Sequence, residues 1–175
     1  HNLLFIPGSD VIAGKVQEGY GIAINGFEKY FVDPEKTIVF SHVPRKFNNI
    51  NEAVDYAFFA EFKNGTFGPA IPILEQLKST YGNLNIEDAI TKALDHDINL
   101  RQENRGNEDL KYLFEKTGIN KCISGHFHES VHRANDSNGK HVLEGEFVDE
   151  LFWNASYLDE GKIGVLRVKD NKVAY

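Results

Sequence analysis

Methionine is missing from the chain altogether, and cysteine occurs once, as Cys122. A lone cysteine excludes an intrachain disulfide framework and fits a reducing compartment, so a cytoplasmic location is expected. No apolar run approaches the roughly 20 residues that span a bilayer, and no signal-peptide pattern opens the chain, so no membrane partner is expected. Positive charge is scarce as well: 19 Lys and Arg stand against 26 Asp and Glu, a formal net charge of -7. That balance argues against a broad basic surface for nucleic acid. A local patch or a bound cation can still hold phosphate, so a nucleic-acid partner is left open without being indicated. No repeat, low-complexity segment or linker is visible, and one α/β domain over residues 1–175 is the plain expectation.

Hydrophobic residues make up 41% of the chain and aromatic residues 12%, enough for a substantial core. Leu3 to Ile6 reads as a short buried strand stopped by Pro7-Gly8. Asn25-Gly26, between two apolar runs in YGIAINGFEKYFV, predicts a hairpin. Thr37 to Phe40 is a third strand, ending at Ser41-His42-Val43-Pro44.

From about residue 50 the period lengthens toward that of amphipathic helices, giving a helical insertion over about 50–118. Val54, Ala57, Phe58 and Phe62 share one helical face before Asn64-Gly65; Leu74, Leu77 and Tyr81 mark a second helix ending at Gly82. Asn85 caps a third helix and Asn107 a fourth, which ends at Gly118. The polar stretch DINLRQENRGNED between them reads as a loop. Strands then return at Lys121 to Ser124, His141 to Val148 and Leu151 to Ala155, with a closing hairpin that turns at Asp170-Asn171.

The segment KCISGHFHES sets two histidines one residue apart behind a glycine. In an extended segment such residues point the same way, so His126 and His128 can present imidazoles to one small volume. His42 also follows directly on a predicted buried strand, and ligand sites in open α/β sheets gather beyond the carboxyl ends of strands. Neutral imidazole is the commonest metal ligand. Surface or hydrogen-bonded histidines would carry the same pattern.

FSHVP and SGHFH, each behind an apolar strand, together resemble the last two signature motifs of the calcineurin-like metallophosphoesterase family, a lone histidine followed by G-H-x-H. PGSD behind LLFI resembles a variant of the family's G-N-H-D/E motif, and WNAS (153–156) resembles the short turn beyond G-H-x-H. The order of all four agrees, and the resemblance covers most of the chain outside about 50–118. It implies an α/β/β/α sandwich carrying two divalent metal ions, Mn, Fe or Zn, that hydrolyses a phosphate mono- or diester. His42 and His126 would bind one metal and His128 the other. Ser9 stands where the family has a metal-binding asparagine. Asp10 stands where the family has a histidine acting on the leaving group, which makes Asp10 the candidate catalytic residue and anionic metal ligand. A plain turn or cap at Ser9-Asp10 is the alternative.

The family's first two motifs, D-x-H and G-D, belong before PGSD, and six residues precede Pro7. The chain is therefore expected to be the C-terminal part of a longer polypeptide, its sandwich incomplete. An N-terminal segment or a second copy in a homo-oligomer would complete the site. A catalytically inactive binding or scaffold module, with the helical block as its contact surface, is the alternative.

Four further groups enter as candidates. Arg45 and Lys46 follow His42 and either reach a substrate phosphate, Arg45 as the better bidentate partner, or form a solvated loop. Arg101 and Arg105 belong either to a lid over the site or to a packed core block. Asp95-His96-Asp97 reads as a solvated helix end. Glu129 and His132 are candidates for orienting the metal-binding imidazoles, or are surface residues.

Overall fold

The computed structural model describes residues 1–6, 26–155 and 163–175. Residues 1–56 and 104–175 form one compact unit, and residues 57–103 form another.

The first unit is built on a mixed sheet of β1 (Asn2–Ile6), β2 (Thr37–Ser41), β6 (Lys121–Ser124), β7 (Ala134–Asn135) and β8 (Leu151–Asn154), in spatial order β1-β2-β6-β8-β7. The pairs β1/β2, β2/β6 and β6/β8 are parallel, and β7 runs antiparallel to β8. Strands buried on both faces read as near-continuous apolar runs, and that is how TIVFS, KCIS and LFWN appear in the sequence.

On one face, Ile6, Val39, Cys122 and Phe152 pack with Leu110, Leu113 and Phe114 of helix α3 (Glu108–Thr117). The Asn107 side chain caps this helix by accepting from the Leu110 amide at 2.7 Å, and Gly118 closes it at φ +75°. On the other face, Ile38, Leu151 and Trp153 pack with Val142 and Val173. Val173 lies in the antiparallel hairpin of β9 (Arg167–Lys169) and β10 (Lys172–Ala174), which turns at Asp170-Asn171 as the sequence predicts. The content is α/β, and among the described residues no helix is long and apolar enough to cross a membrane.

The second unit holds a sheet in the order β4-β3-β5, from β3 (Tyr56–Phe62), β4 (Phe67–Pro69) and β5 (Ile98–Asn104), with helices α1 (Ala70–Tyr81) and α2 (Ile86–Leu94). Both helices fall where the periodicity predicts, α1 ending at Gly82 and α2 capped by Asn85, whose side chain accepts from the Asp88 amide at 2.8 Å.

Four expectations are corrected. The helix read through Val54 to Phe62 is β3: Ala57 to Ala60 are buried without a break, which suits a strand covered on both sides, and Asn64-Gly65 is the tight turn into β4. There the Phe62 amide bonds the Thr66 carbonyl at 2.9 Å and Gly65 takes φ +77°. The loop read over DINLRQENRGNED contains β5, whose polar side chains fit an edge strand, with Arg101 reaching Glu61 at 3.1 Å. Past Gly26 the expected hairpin arm is a short 3-10 helix (Phe27–Tyr30); Val32 beyond it is 83% exposed, and the other arm lies outside the described residues. His141 to Val148 makes only isolated pairings at its two ends, interrupted by Gly145 at φ +81°.

Asp55, fully buried, joins the loop after β2 to the loop before α3. Its carboxylate accepts from the Phe47 amide (2.9 Å), the Gly106 amide (3.1 Å) and Asn104 Nδ2 (2.7 Å). Burial holds its proton affinity above that of an ordinary aspartate, and the three donors act against that rise. Asp55→Ala leaves those buried donors unpaired and is expected to lower the unfolding free energy by roughly 3 kcal/mol or more in urea titration. A loss under about 1 kcal/mol would contradict this role.

Candidate metal centre

At the end of β2, Ser41 Oγ donates to the Val43 carbonyl at 2.7 Å and turns the chain out of the strand. The next carbonyl, of His42, accepts from the Gly125 amide at 3.0 Å, which carries the β2–β6 pairing one step beyond the sheet. His42 and His126 are thereby set side by side. His126 adopts φ +72°, the left-handed region that a residue with a Cβ rarely enters, and the Phe127 amide closes back on the Gly125 carbonyl at 2.9 Å. Such strain persists only where surrounding contacts enforce it.

The result is close approach of two ring nitrogens: His126 Nδ1 and His42 Nε2 are 3.0 Å apart. The two rings meet edge to face, with centroids 4.9 Å apart, and the buried Phe127 ring makes a second edge-to-face contact with His126 at 4.7 Å. Burial, reinforced by the nearby His42 and His128, pushes the His126 pKa down to about 4. His126 is therefore neutral at physiological pH, the state a metal ligand requires. With metal–nitrogen bonds of about 2.0–2.1 Å, the observed separation corresponds to an angle near ~90° at a shared cation, so the two nitrogens suit neighbouring positions on one ion.

His128 begins a short 3-10 turn (His128–Ser130) and is exposed. It lies close enough to act electrostatically on His126 and Glu129; burial raises the Glu129 carboxyl, with His128 opposing the rise. Among the described residues no group of three or more His, Cys, Asp or Glu is arranged to hold a metal ion. Cys122 is buried in β6, and burial pushes its thiol up to about 12, which keeps it protonated.

Ser9 and Asp10, with the rest of PGSD, lie outside the described residues. Arg45 is 5% exposed and its guanidinium stacks over Phe47 (4.5 Å) and Phe152 (5.0 Å), while Nη2 reaches the Ser137 carbonyl at 3.3 Å and Glu115 at 3.5 Å. That is the placement of a core cation, and the phosphate contact expected of Arg45 does not match it. Lys46 pairs with Glu108 at 3.6 Å.

In the second unit, Arg101 bonds Glu61 and Glu103. Asp95 pairs with Lys92, Asp97 with Lys63, and His96 Nε2 meets the Tyr81 hydroxyl at 2.9 Å, as a solvated helix end would. In the first unit, Arg105 donates its amide to the Asp55 carbonyl at 2.8 Å. His132 Nε2 is buried without a hydrogen-bond partner, so that nitrogen does not orient the pair.

Sequence reasoning missed the residues that hold the histidine turn. Asn154, last in β8 and fully buried, donates from Nδ2 to the Phe127 carbonyl (2.7 Å) and to Ser130 Oγ (3.0 Å). Ser130 Oγ in turn donates to the Val54 carbonyl at 2.6 Å. An asparagine closing the apolar run LFW was the available signal. No family model matches the chain, and neither a curated protein nor a solved structure matches it.

The unfolded chain binds the His126 proton more tightly than the folded one, with pKa values of 6.5 and about 4. Stability from this residue is then fully present above about 6.5 and lost as pH falls toward 4. In denaturant titrations of metal-free protein across that window, wild type is expected to lose more stability than His126→Gln. Parallel curves would contradict the assignment.

Proposed function

We propose that the chain carries one side of the metal centre of a metal-dependent phosphoesterase resembling the calcineurin-like family, on a fold related to its α/β/β/α sandwich. The observation that carries this reading is the 3.0 Å approach of His42 Nε2 and His126 Nδ1 beyond the carboxyl ends of adjacent parallel strands. The donor set fits one divalent cation in part: two imidazoles in neighbouring positions, with Mn, Fe and Zn all suited to such nitrogen ligands. A bound cation pair would supply water activation and charge neutralisation for displacement at phosphorus.

In this proposal His42 and His126 bind one cation and His128 a second. Asp10 supplies an anionic ligand. The Phe127 ring and the β2–β6 pairing hold His126 at its angle to His42. The remaining ligands come from an N-terminal segment or a second copy, and the substrate is a phosphate mono- or diester. The rival reading is a catalytically inactive binding or scaffold module.

Elemental analysis of protein purified without chelator and offered Mn²⁺, Fe²⁺ or Zn²⁺ separates the two readings. Bound metal is expected in wild type, with at least tenfold less in His126→Ala at unchanged far-UV circular dichroism. Hydrolysis of a nitrophenyl phosphodiester should fall in parallel. Metal content that His126→Ala leaves unchanged would contradict the assignment, and metal without hydrolysis would favour the binding module.

A further inference from the structure

Asn154 belongs to none of the candidate ligands, yet its side chain is aimed into the turn that carries two of them. It closes β8 in register with Ser124, the last residue of β6, from which the histidine turn departs. Its backbone is held on both sides: the carbonyl accepts from the His132 amide at 2.9 Å, and the amide donates to the Arg133 carbonyl at 2.9 Å. The carboxamide is therefore fixed in direction before it meets its partners.

Those partners are the Phe127 carbonyl and Ser130 Oγ, at 2.7 and 3.0 Å. The Phe127 carbonyl belongs to the peptide that links His126-Phe127 to His128, so holding it sets the orientation of the backbone between the two histidines. Ser130 extends the support to the Val54 carbonyl at 2.6 Å and lies 3.3 Å from the Phe127 carbonyl. Asn154 and Ser130 are each 0% exposed. Water therefore does not replace a lost donor at that carbonyl, which also accepts from the Ser130 amide at 3.2 Å.

We propose that Asn154 is the positioning residue of the histidine centre, its carboxamide holding the His126-Phe127-His128 turn in the strained conformation that brings His126 Nδ1 to His42 Nε2. This rests on the metal-binding reading for its consequence, but the positioning itself is a property of the metal-free protein. Groups that support metal ligands from behind typically change affinity by roughly 10–100-fold when altered.

The decisive variant is Asn154→Asp, which keeps the shape and puts an acceptor where Nδ2 donated. Ser130→Ala, which removes the supporting hydroxyl, serves if the first does not fold. Asn104→Asp is the control: it disrupts a buried carboxamide that donates to Asp55 and the Asn49 carbonyl, away from the turn.

Two readouts are taken on each protein: Zn²⁺ or Mn²⁺ affinity by calorimetry, and the tautomers of His42 and His126 from imidazole ¹⁵N shifts in metal-free protein. Affinity is expected to fall roughly 10–100-fold in Asn154→Asp and to stay within about twofold in the control, even where both lose stability. Equal affinity in Asn154→Asp and wild type, or an equal loss in the control, overturns the proposal.

If wild type binds no metal, the functional reading fails and the tautomers decide. Fixed tautomers in wild type that become averaged in Asn154→Asp uphold the positioning role, and unchanged shifts refute it.

Discussion

The parallel pairing of β2 with β6 is the constraint on which the site depends. One hydrogen bond beyond the sheet, from the Gly125 amide to the His42 carbonyl, brings together two segments 84 positions apart in the chain. Without it, His42 would sit on one loop and His126 on another. The sheet supplies rigidity on the side away from the site, where α3 and the Phe47–Phe152 contact fill the space behind the strands. The two imidazoles then project from strand ends, where a closely held backbone and freely directed side chains coexist.

Buried polar side chains carry much of the rest. Asp55 draws in amides and a carboxamide from both flanking loops, Asn107 caps α3, and Asn135 accepts from the Val54 amide at 2.9 Å. Each satisfies backbone groups that irregular segments would otherwise leave unpaired in the interior. Loops held this way have their backbone groups satisfied by side chains, and such contacts are what allow a loop to hold an imidazole in a strained conformation.

Much of this was legible in the sequence. The strands at Leu3, Thr37, Lys121 and Leu151 declared themselves as short apolar runs with sharp stops, and the caps at Asn85, Asn107 and Gly118 marked their helices within a residue. His42 and His126 could be paired in advance because each follows a buried strand. What was not legible depended on tertiary partners. Residues 54, 57, 58 and 62 fit a helical period as well as a doubly covered strand, and only the neighbours β4 and β5 settle which. Arg45 looked free to reach a phosphate until Phe47 and Phe152 enclosed it. Asn154 stood out only as part of WNAS, and its contact could not be read there, since it depends on a turn some 25 residues earlier folding against it.

The central claim is that His42 Nε2 and His126 Nδ1 share one cation. Anomalous diffraction at the zinc edge from crystals of Zn²⁺-loaded protein tests it most directly. The account predicts a peak within about 2.2 Å of both nitrogens. A peak elsewhere, or two imidazoles still hydrogen-bonded to each other with no density between them, would contradict it.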